Sequence, residues 1–77
     1  MTTEHFEAWK QENTTETVKE TINRIEYYFC TLKDGWIGVF QKENSGELAP
    51  IIKSADLAHA RTYCSMIEPV TVPFNII

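Results

Sequence analysis

Residues 27–40 read YYFCTLKDGWIGVF, and this segment has the strongest hairpin signal in the chain. It contains two runs of aromatic, β-branched and aliphatic residues, which are typical of strands, on either side of Asp34-Gly35. Asp-Gly between two such runs favours the tight turn of a β-hairpin. The sequence therefore predicts two antiparallel strands, over residues 27–32 and 36–40.

The length of the loop determines which residues of this hairpin face each other. A two-residue type I′ turn at Asp34 and Gly35 gives one register. Its opposed pairs are Leu32 with Ile37, Cys30 with Val39, and Phe29 with Phe40. A three-residue loop with a bulge at Gly35 shifts each pair by one residue. The residues alone leave both registers open.

In the first register, aromatic rings share one face of the hairpin. One alternative is that the N-terminal helices cover this aromatic face. The other is that part of it binds a second protein, because aromatic anchors dominate interface energies. The candidate partner-binding residues on this face are Tyr27, Phe29, Trp36 and Phe40. The opposite face carries Leu32, Ile37, Cys30 and Val39.

Two helices are predicted before the hairpin. Residues 3–12 have the composition of a short helix, with Phe6 and Trp9 on one side. Asn13 followed by Glu16 fits an N-cap with a reciprocal acid, which predicts a second helix from Thr14 to Arg24. The apolar positions of this second helix recur at spacings of four and three, at Val18, Ile22 and Ile25.

The sequence of the C-terminal half predicts a strand, a helix and a final strand. Residues 48–53 read as the third strand, and Ser54 caps a helix over residues 55–66. The apolar face of that helix carries Leu57, Ala60, Cys64 and Ile67. Alternation over residues 70–76 predicts an edge strand that Pro73 makes irregular.

Length and composition favour one small domain. The chain has 77 residues, of which 43% are hydrophobic and 23% charged, so it has room for one core. We predict a single α+β domain over residues 1–77. It comprises N-terminal helices, a three-stranded antiparallel sheet, a C-terminal helix packed on the sheet and an irregular final edge strand. The start of the chain lacks signal-peptide features, and we expect a cytoplasmic protein with no membrane association, in which Cys30 and Cys64 are free thiols.

The motifs of catalytic and metal sites are missing from the sequence. The histidines are His5 and His59, and no Cys-x-x-Cys or His-x-x-x-His spacing is present. His59 and Cys64 would lie about 140° apart on a helix, which does not form a nucleophile–base pair. We therefore expect no catalysis, no cofactor and no bound metal.

Acidic residues recur at helical spacing in the N-terminal part. Glu16 and Glu20 would project from one side of the predicted second helix, with Glu12 before it. Such a row can imitate phosphate charge and occupy a basic groove on another protein. The alternative is a solvated helix face, partly neutralised by Lys19 and Arg24. Glu16 and Glu20 are candidate partner-binding residues.

The charge balance argues against general nucleic-acid binding. The net charge is −4, and the basic residues are spread along the chain. The order of a helix, three antiparallel strands and a helix is similar to that of double-stranded RNA-binding domains. Those modules, however, carry a basic N-terminus on the last helix, where this chain reads Ser54-Ala55-Asp56. A local site built from the hairpin aromatics with Lys33 and Lys42 is the alternative.

The last residues are apolar and are expected to be docked. They can pair as a sheet edge within the chain, or complete a homodimer through Val72, Phe74 and Ile76. Together these patterns favour a small, acidic, non-catalytic module that binds another protein. Phages and mobile elements encode accessory and inhibitor proteins of this kind. The alternative is a nucleic-acid-binding regulator that uses the hairpin aromatics, Lys33 and Lys42.

Overall fold

A computed structural model describes residues 1–66 and 75–76. In chain order the elements are α1 (Thr3–Asn13), β1 (Thr14–Ile22), β2 (Ile25–Leu32), β3 (Ile37–Lys42), β4 (Leu48–Ser54), α2 (Leu57–Met66) and β5 (Asn75–Ile76). The strands lie in sequence order in one sheet, with β1 to β4 antiparallel and β5 parallel to β4. The predicted α+β class is confirmed, with four antiparallel strands instead of three.

The first helix forms as predicted. Thr2 is its N-cap and its side chain accepts a hydrogen bond from the His5 N–H at 3.2 Å. Glu4 lies in the first turn, where the helix dipole favours an acid, and Lys10 lies in the last turn. α1 ends at Asn13, and the chain passes directly into β1 at Thr14.

The predicted second helix from Thr14 to Arg24 is wrong, because this segment forms β1 and a tight turn. A spacing of four, as between Val18 and Ile22, fits one face of a strand as well as one face of a helix. The turn consists of Asn23 and Arg24, which both have left-handed backbones with φ of 51° and 69°. Such a turn closes a hairpin, and Ile22 accordingly faces Ile25.

The β2–β3 hairpin has the three-residue loop. Gly35 has a φ of 92°, its N–H donates to the Leu32 carbonyl at 2.9 Å, and the Leu32 N–H donates to the Trp36 carbonyl at 2.7 Å. The observed pairs are therefore shifted by one residue from those of a two-residue turn. Phe29 opposes Val39, Cys30 opposes Gly38, and Tyr28 opposes Phe40. The two-residue register is wrong and the bulged alternative is confirmed.

This register divides the core between the two faces of the sheet. On the face covered by α2, the α2 face, the buried cluster comprises Tyr27, Phe29, Ile37, Val39, Ile51, Ile52, Ala60 and Cys64. On the opposite α1 face it comprises Phe6, Cys30, Phe40 and Leu48, with Trp9 and Tyr28 packed against it. The described residues thus form three layers, a sheet between two helices. That residues 1–77 make one domain stays a prediction.

The C-terminal half follows the prediction in outline. β4 spans Leu48–Ser54, and α2 begins at Leu57, two residues later than predicted. Asp56 rather than Ser54 caps it, since the Asp56 carboxylate accepts from the Ala58 N–H at 2.8 Å. Of the predicted final strand, residues 75–76 form β5, whose partners in β4 are Ile52 and Lys53.

Candidate functional site

A cleft of about 300 Å³ opens between the C-terminal end of α1 and the β2–β3 loop. We call it the Trp9 cleft; its walls are Trp9, Asn13, Leu32, Lys33 and Asp34. Its volume is at the lower end for ligand sites, which start at about 300 Å³. The cleft is large enough for one or two side chains of a binding partner.

Trp9 is the aromatic wall of the cleft, and two other aromatic rings pack against it. Its ring lies 4.9 Å from the Phe40 ring in an edge arrangement and 6.1 Å from the Phe6 ring in a stacked one, measured between centroids. Both supporting rings are buried, whereas Trp9 is half-buried. The indole is therefore fixed by aromatic packing while part of its surface remains accessible.

A backbone hydrogen bond joins the two sides of the cleft. The Lys33 N–H donates to the Asn13 carbonyl at 3.1 Å, which ties the end of α1 to the hairpin loop. The Asn13 side-chain amide donates to the Trp9 carbonyl at 2.9 Å, and the Thr14 hydroxyl donates to the Lys10 carbonyl at 2.7 Å. Three carbonyls near the end of α1, those of Trp9, Lys10 and Asn13, therefore have hydrogen-bond partners, which holds the last turn of the helix at the cleft.

The rim of the cleft carries two charges with different surroundings. Asp34 accepts from the Trp36 N–H at 3.0 Å and lies 3.7 Å from the Lys53 ammonium, which also sits 5.3 Å from the Trp36 ring centroid. Lys33 is exposed, and among the described residues no carboxylate lies within ion-pair distance of it. The rim therefore offers one cation to a ligand.

The predicted acidic residues lie on a strand instead of a helix. Glu16 and Glu20 are on β1, opposite Thr31 and Tyr27, and share the α2 face about 13 Å apart. Glu20 is paired with Arg61 of α2, and Glu16 is exposed. The continuous acidic row with Glu12 does not form, because Glu12 belongs to α1.

The predicted aromatic surface is divided by the observed register. Tyr27 (1% exposed) and Phe29 (2%) lie under α2, whereas Phe40 (5%) lies under α1. These three rings are core residues, since each fills the space between the sheet and a helix, and they offer no surface to a partner. Trp36, at the end of the hairpin loop, is half-buried.

The predicted dimer residues lie in the C-terminal segment. Val72 and Phe74 are outside the described residues. Ile76 belongs to β5, and its backbone pairs with Lys53 in β4. A dimer through these residues stays a prediction.

The two thiols are buried in different clusters. Burial raises the pKa of Cys30, and burial together with the charge of Glu20 raises the pKa of Cys64 from 9.0 to about 12. Both thiols are protonated at neutral pH, so the nucleophilic thiolate is suppressed. Among the residues that the structure describes, no group of three His, Cys, Asp or Glu side chains could hold a metal ion.

The sequence did not indicate Asn13, Leu32 and Asp34 as members of a site. The hydrogen bond between Lys33 and Asn13 links residues of different elements, so no local pattern signals it. Trp9 was visible as an aromatic residue on the predicted first helix. Its neighbours across the cleft follow only from the loop register and from the direct passage of α1 into β1.

Comparison with known proteins adds no assignment. The chain matches no protein-family model, no curated protein and no solved structure. Within the described part of the chain, no helix has the length and apolar character needed to cross a membrane.

Proposed function

We propose that this protein is a non-catalytic binding module that receives an apolar side chain of another protein in the Trp9 cleft. The observation that supports the proposal is a half-buried indole, fixed by Phe6 and Phe40 and facing Leu32 across a concave surface. Rigid aromatic residues at a concave site are typical of the anchors that dominate protein interfaces.

The distribution of apolar surface directs the proposal to this cleft. Among the described residues, the exposed large apolar side chains are Met1 and Met66, so no broad apolar face is available there. The rim adds Lys33, an exposed cation, beside the apolar walls. The partner segment that fits best combines an apolar residue with a neighbouring acidic one, which would pair with Lys33.

The other sequence-based hypotheses have less support. The Lys42 ammonium lies 3.6 Å from the Glu26 carboxylate and is paired with it. The hairpin rings Tyr27, Phe29 and Phe40 are buried, so most of the stacking surface that a nucleic-acid site needs is absent. An accessory or inhibitor role of the phage type stays a prediction from composition. The acidic residue Glu16 remains available as a second contact for a partner.

A blocking variant tests the cleft without deleting core contacts. Asn13→Tyr places a ring in the cleft, while Asn44→Tyr makes the same change in an exposed turn far along the chain. Peptides would be selected from a random display library on the wild-type protein, and their dissociation constants measured on both variants. We expect at least about a tenfold loss of affinity with Asn13→Tyr, corresponding to about 1.4 kcal/mol, and no loss with Asn44→Tyr.

A charge variant tests the chemistry of the partner. Lys33→Glu should weaken peptides that carry an acid beside the apolar anchor and should strengthen peptides with a base there. NMR shifts of the Trp9 indole N–H and the Asn13 amide would locate the bound peptide. Equal affinity of every selected peptide for Asn13→Tyr and the wild type, in a folded variant, would contradict the proposal.

A further inference from the structure

The outer edge of β1 is a second surface of this fold, and another strand can pair with it. β1 is a nine-residue strand at the end of the sheet, and within residues 1–66 and 75–76 its only neighbouring strand is β2. Such an edge presents a row of backbone donors and acceptors to any strand that can pair with it.

The turn between β1 and β2 determines which residues carry those free groups. Asn23 and Arg24 are the central residues of a two-residue turn, so Ile22 and Ile25 form its hydrogen-bonded closing pair. Hydrogen-bonded and non-hydrogen-bonded pairs alternate along an antiparallel ladder. On β1 the residues bonded to β2 are Ile22, Glu20, Val18 and Glu16, and the residues with outward groups are Thr21, Lys19 and Thr17.

We propose that β1 pairs with β1 of a second copy of this chain, antiparallel, with the two Val18 residues facing each other at the twofold axis. An axis perpendicular to the sheet keeps each face of the sheet on the same side in both copies. Only registers that oppose residues of the same face are then allowed. In this register Thr17 of one copy and Lys19 of the other exchange both backbone hydrogen bonds, and the symmetry-related pair does the same.

Side-chain chemistry selects this register from its neighbours. A register centred on Lys19 sets two lysines opposite each other, and one centred on Thr17 sets Val18 against Glu16. Centring on Val18 instead joins two half-buried valines. It also brings Glu16 of one copy opposite Glu20 of the other.

Arg61 makes that last pairing favourable. Its Nε donates to a Glu20 carboxylate oxygen on the α2 face, which leaves the two Nη groups of the guanidinium for a further carboxylate. Glu16 lies on the same face and is exposed. Across the axis, each Arg61 would therefore hold Glu20 of its own chain and Glu16 of the other chain.

The charges of the edge point to a second copy in preference to a foreign strand. Charged residues on an edge strand usually prevent pairing, since they are stranded without counter-charges. Here the Lys19 ammonium lies 3.4 Å from the Glu26 carboxylate of its own chain, and Glu20 pairs with Arg61. Glu16 would pair with Arg61 of the other copy. The edge is complementary to itself.

Cysteine cross-linking tests the register. Val18 of the two copies would form a non-hydrogen-bonded pair with Cα atoms about 4.5 Å apart, inside the disulfide range of about 4.4–6.8 Å. Val18→Cys should give a disulfide-linked dimer under mild oxidation. Glu16→Cys and Glu20→Cys should each form no intermolecular disulfide alone and should cross-link with each other when mixed. Wild-type protein, whose Cys30 and Cys64 are buried, is the control.

A proline variant tests the hydrogen bonds. Lys19→Pro removes an outward N–H without removing a bond to β2, so the monomer should fold, whereas Lys19→Ala keeps the N–H. Sedimentation over a concentration series should show a dimer for wild type and Lys19→Ala and a monomer for Lys19→Pro. Glu16→Arg, which places a cation beside Arg61, should also weaken the dimer at least tenfold.

Three outcomes would overturn the proposal. The first is a wild-type protein that is monomeric up to its solubility limit. The second is a dimer that tolerates both Lys19→Pro and Glu16→Arg in folded variants. The third is cross-linking of Glu16→Cys alone that is as fast as that of Val18→Cys, which would indicate random collision. None of these readouts depends on the Trp9 cleft.

Discussion

The two hairpins of this protein share β2 and differ in almost everything else. The first hairpin, β1–β2, turns at Asn23-Arg24 and lies at the edge of the sheet, with half-buried and exposed residues along β1. The second hairpin, β2–β3, turns through residues 33–35 and lies in the centre, where residues 37–40 of β3 are all buried. The sequence predicts the second hairpin, but the first hairpin is predicted as a helix.

The difference lies in what each turn signals. Gly35 adopts its φ of 92° without steric cost and marks the turn in the sequence. In the first turn Asn23 tolerates its left-handed φ of 51°, but Arg24 has a φ of 69°, which arginine rarely adopts, so Asn-Arg is a weaker turn signal than Asp-Gly. The first hairpin therefore depends more on packing against β2, which is buried on both faces, than on a glycine in its turn.

The largest expected contrast is between two identical deletions, Val39→Ala in the second hairpin and Val18→Ala in the first. Val39 is fully buried between Phe29 and Ile52, so losing two methyl groups there should lower the free energy of unfolding by about 2–3 kcal/mol. Val18 is half-buried, so Val18→Ala should lower the free energy of unfolding by less than about 1 kcal/mol. Urea unfolding measures both.

Similar losses at the two positions would contradict the contrast between a central and an edge hairpin. Because Val18 also lies at the proposed dimer axis, the comparison should be made on Lys19→Pro protein or at low concentration. Dimerisation then contributes to neither value.

A smaller effect is expected at the turn of the second hairpin. A Cβ at Gly35 would meet no atom within 4 Å, so Gly35→Ala tests the backbone conformation alone. We expect a loss of about 1–2 kcal/mol in thermal or urea unfolding, because an L-residue is strained at this φ. Gly35→Asn should lose less, since Asn tolerates the left-handed region. Unchanged stability of Gly35→Ala would mean that the loop has another conformation.

The smallest effect, with the opposite sign, is expected at the turn of the first hairpin. Arg24→Gly relieves a left-handed arginine and should raise the free energy of unfolding by up to about 1 kcal/mol, after the entropy of glycine in the unfolded chain is subtracted. Arg24→Ala removes the same charge but keeps the strained backbone, so it should give no gain. A gain of equal size in Arg24→Ala would assign the effect to charge.

Local patterns were sufficient for the parts of the fold whose signals are unambiguous. Residues 3–12, 48–53 and 55–66 form the predicted elements within one or two residues, because composition and apolar spacing there favour a single kind of element. Val18 and Ile22 fit helix and strand equally, and the threonines around them, which favour strands, were outweighed by a cap signal at Asn13. The predicted α+β class is still correct, because replacing one helix by an edge strand leaves the rest of the sheet in place.

The candidate site was less accessible from sequence than the fold. A shift of one residue in the hairpin register moved Phe40 to the α1 face and separated it from Tyr27 and Phe29. The predicted aromatic surface became core for that reason. The Trp9 cleft depends on the contact between the end of α1 and the β2–β3 loop, which arises only once Thr14 starts a strand.

Thr14–Ile22 is a strand paired with β2, and proton cross-peaks in NMR spectra distinguish this strand from a helix. Hα–Hα contacts arise between non-hydrogen-bonded partners of an antiparallel ladder, where the Cα atoms are closest. We predict them for Thr17 with Cys30, Lys19 with Tyr28 and Thr21 with Glu26. Absence of these cross-peaks, together with cross-peaks from each Hα to the amide proton three residues later along Thr14–Ile22, would show a helix. That result would contradict both the fold and the proposed dimer edge.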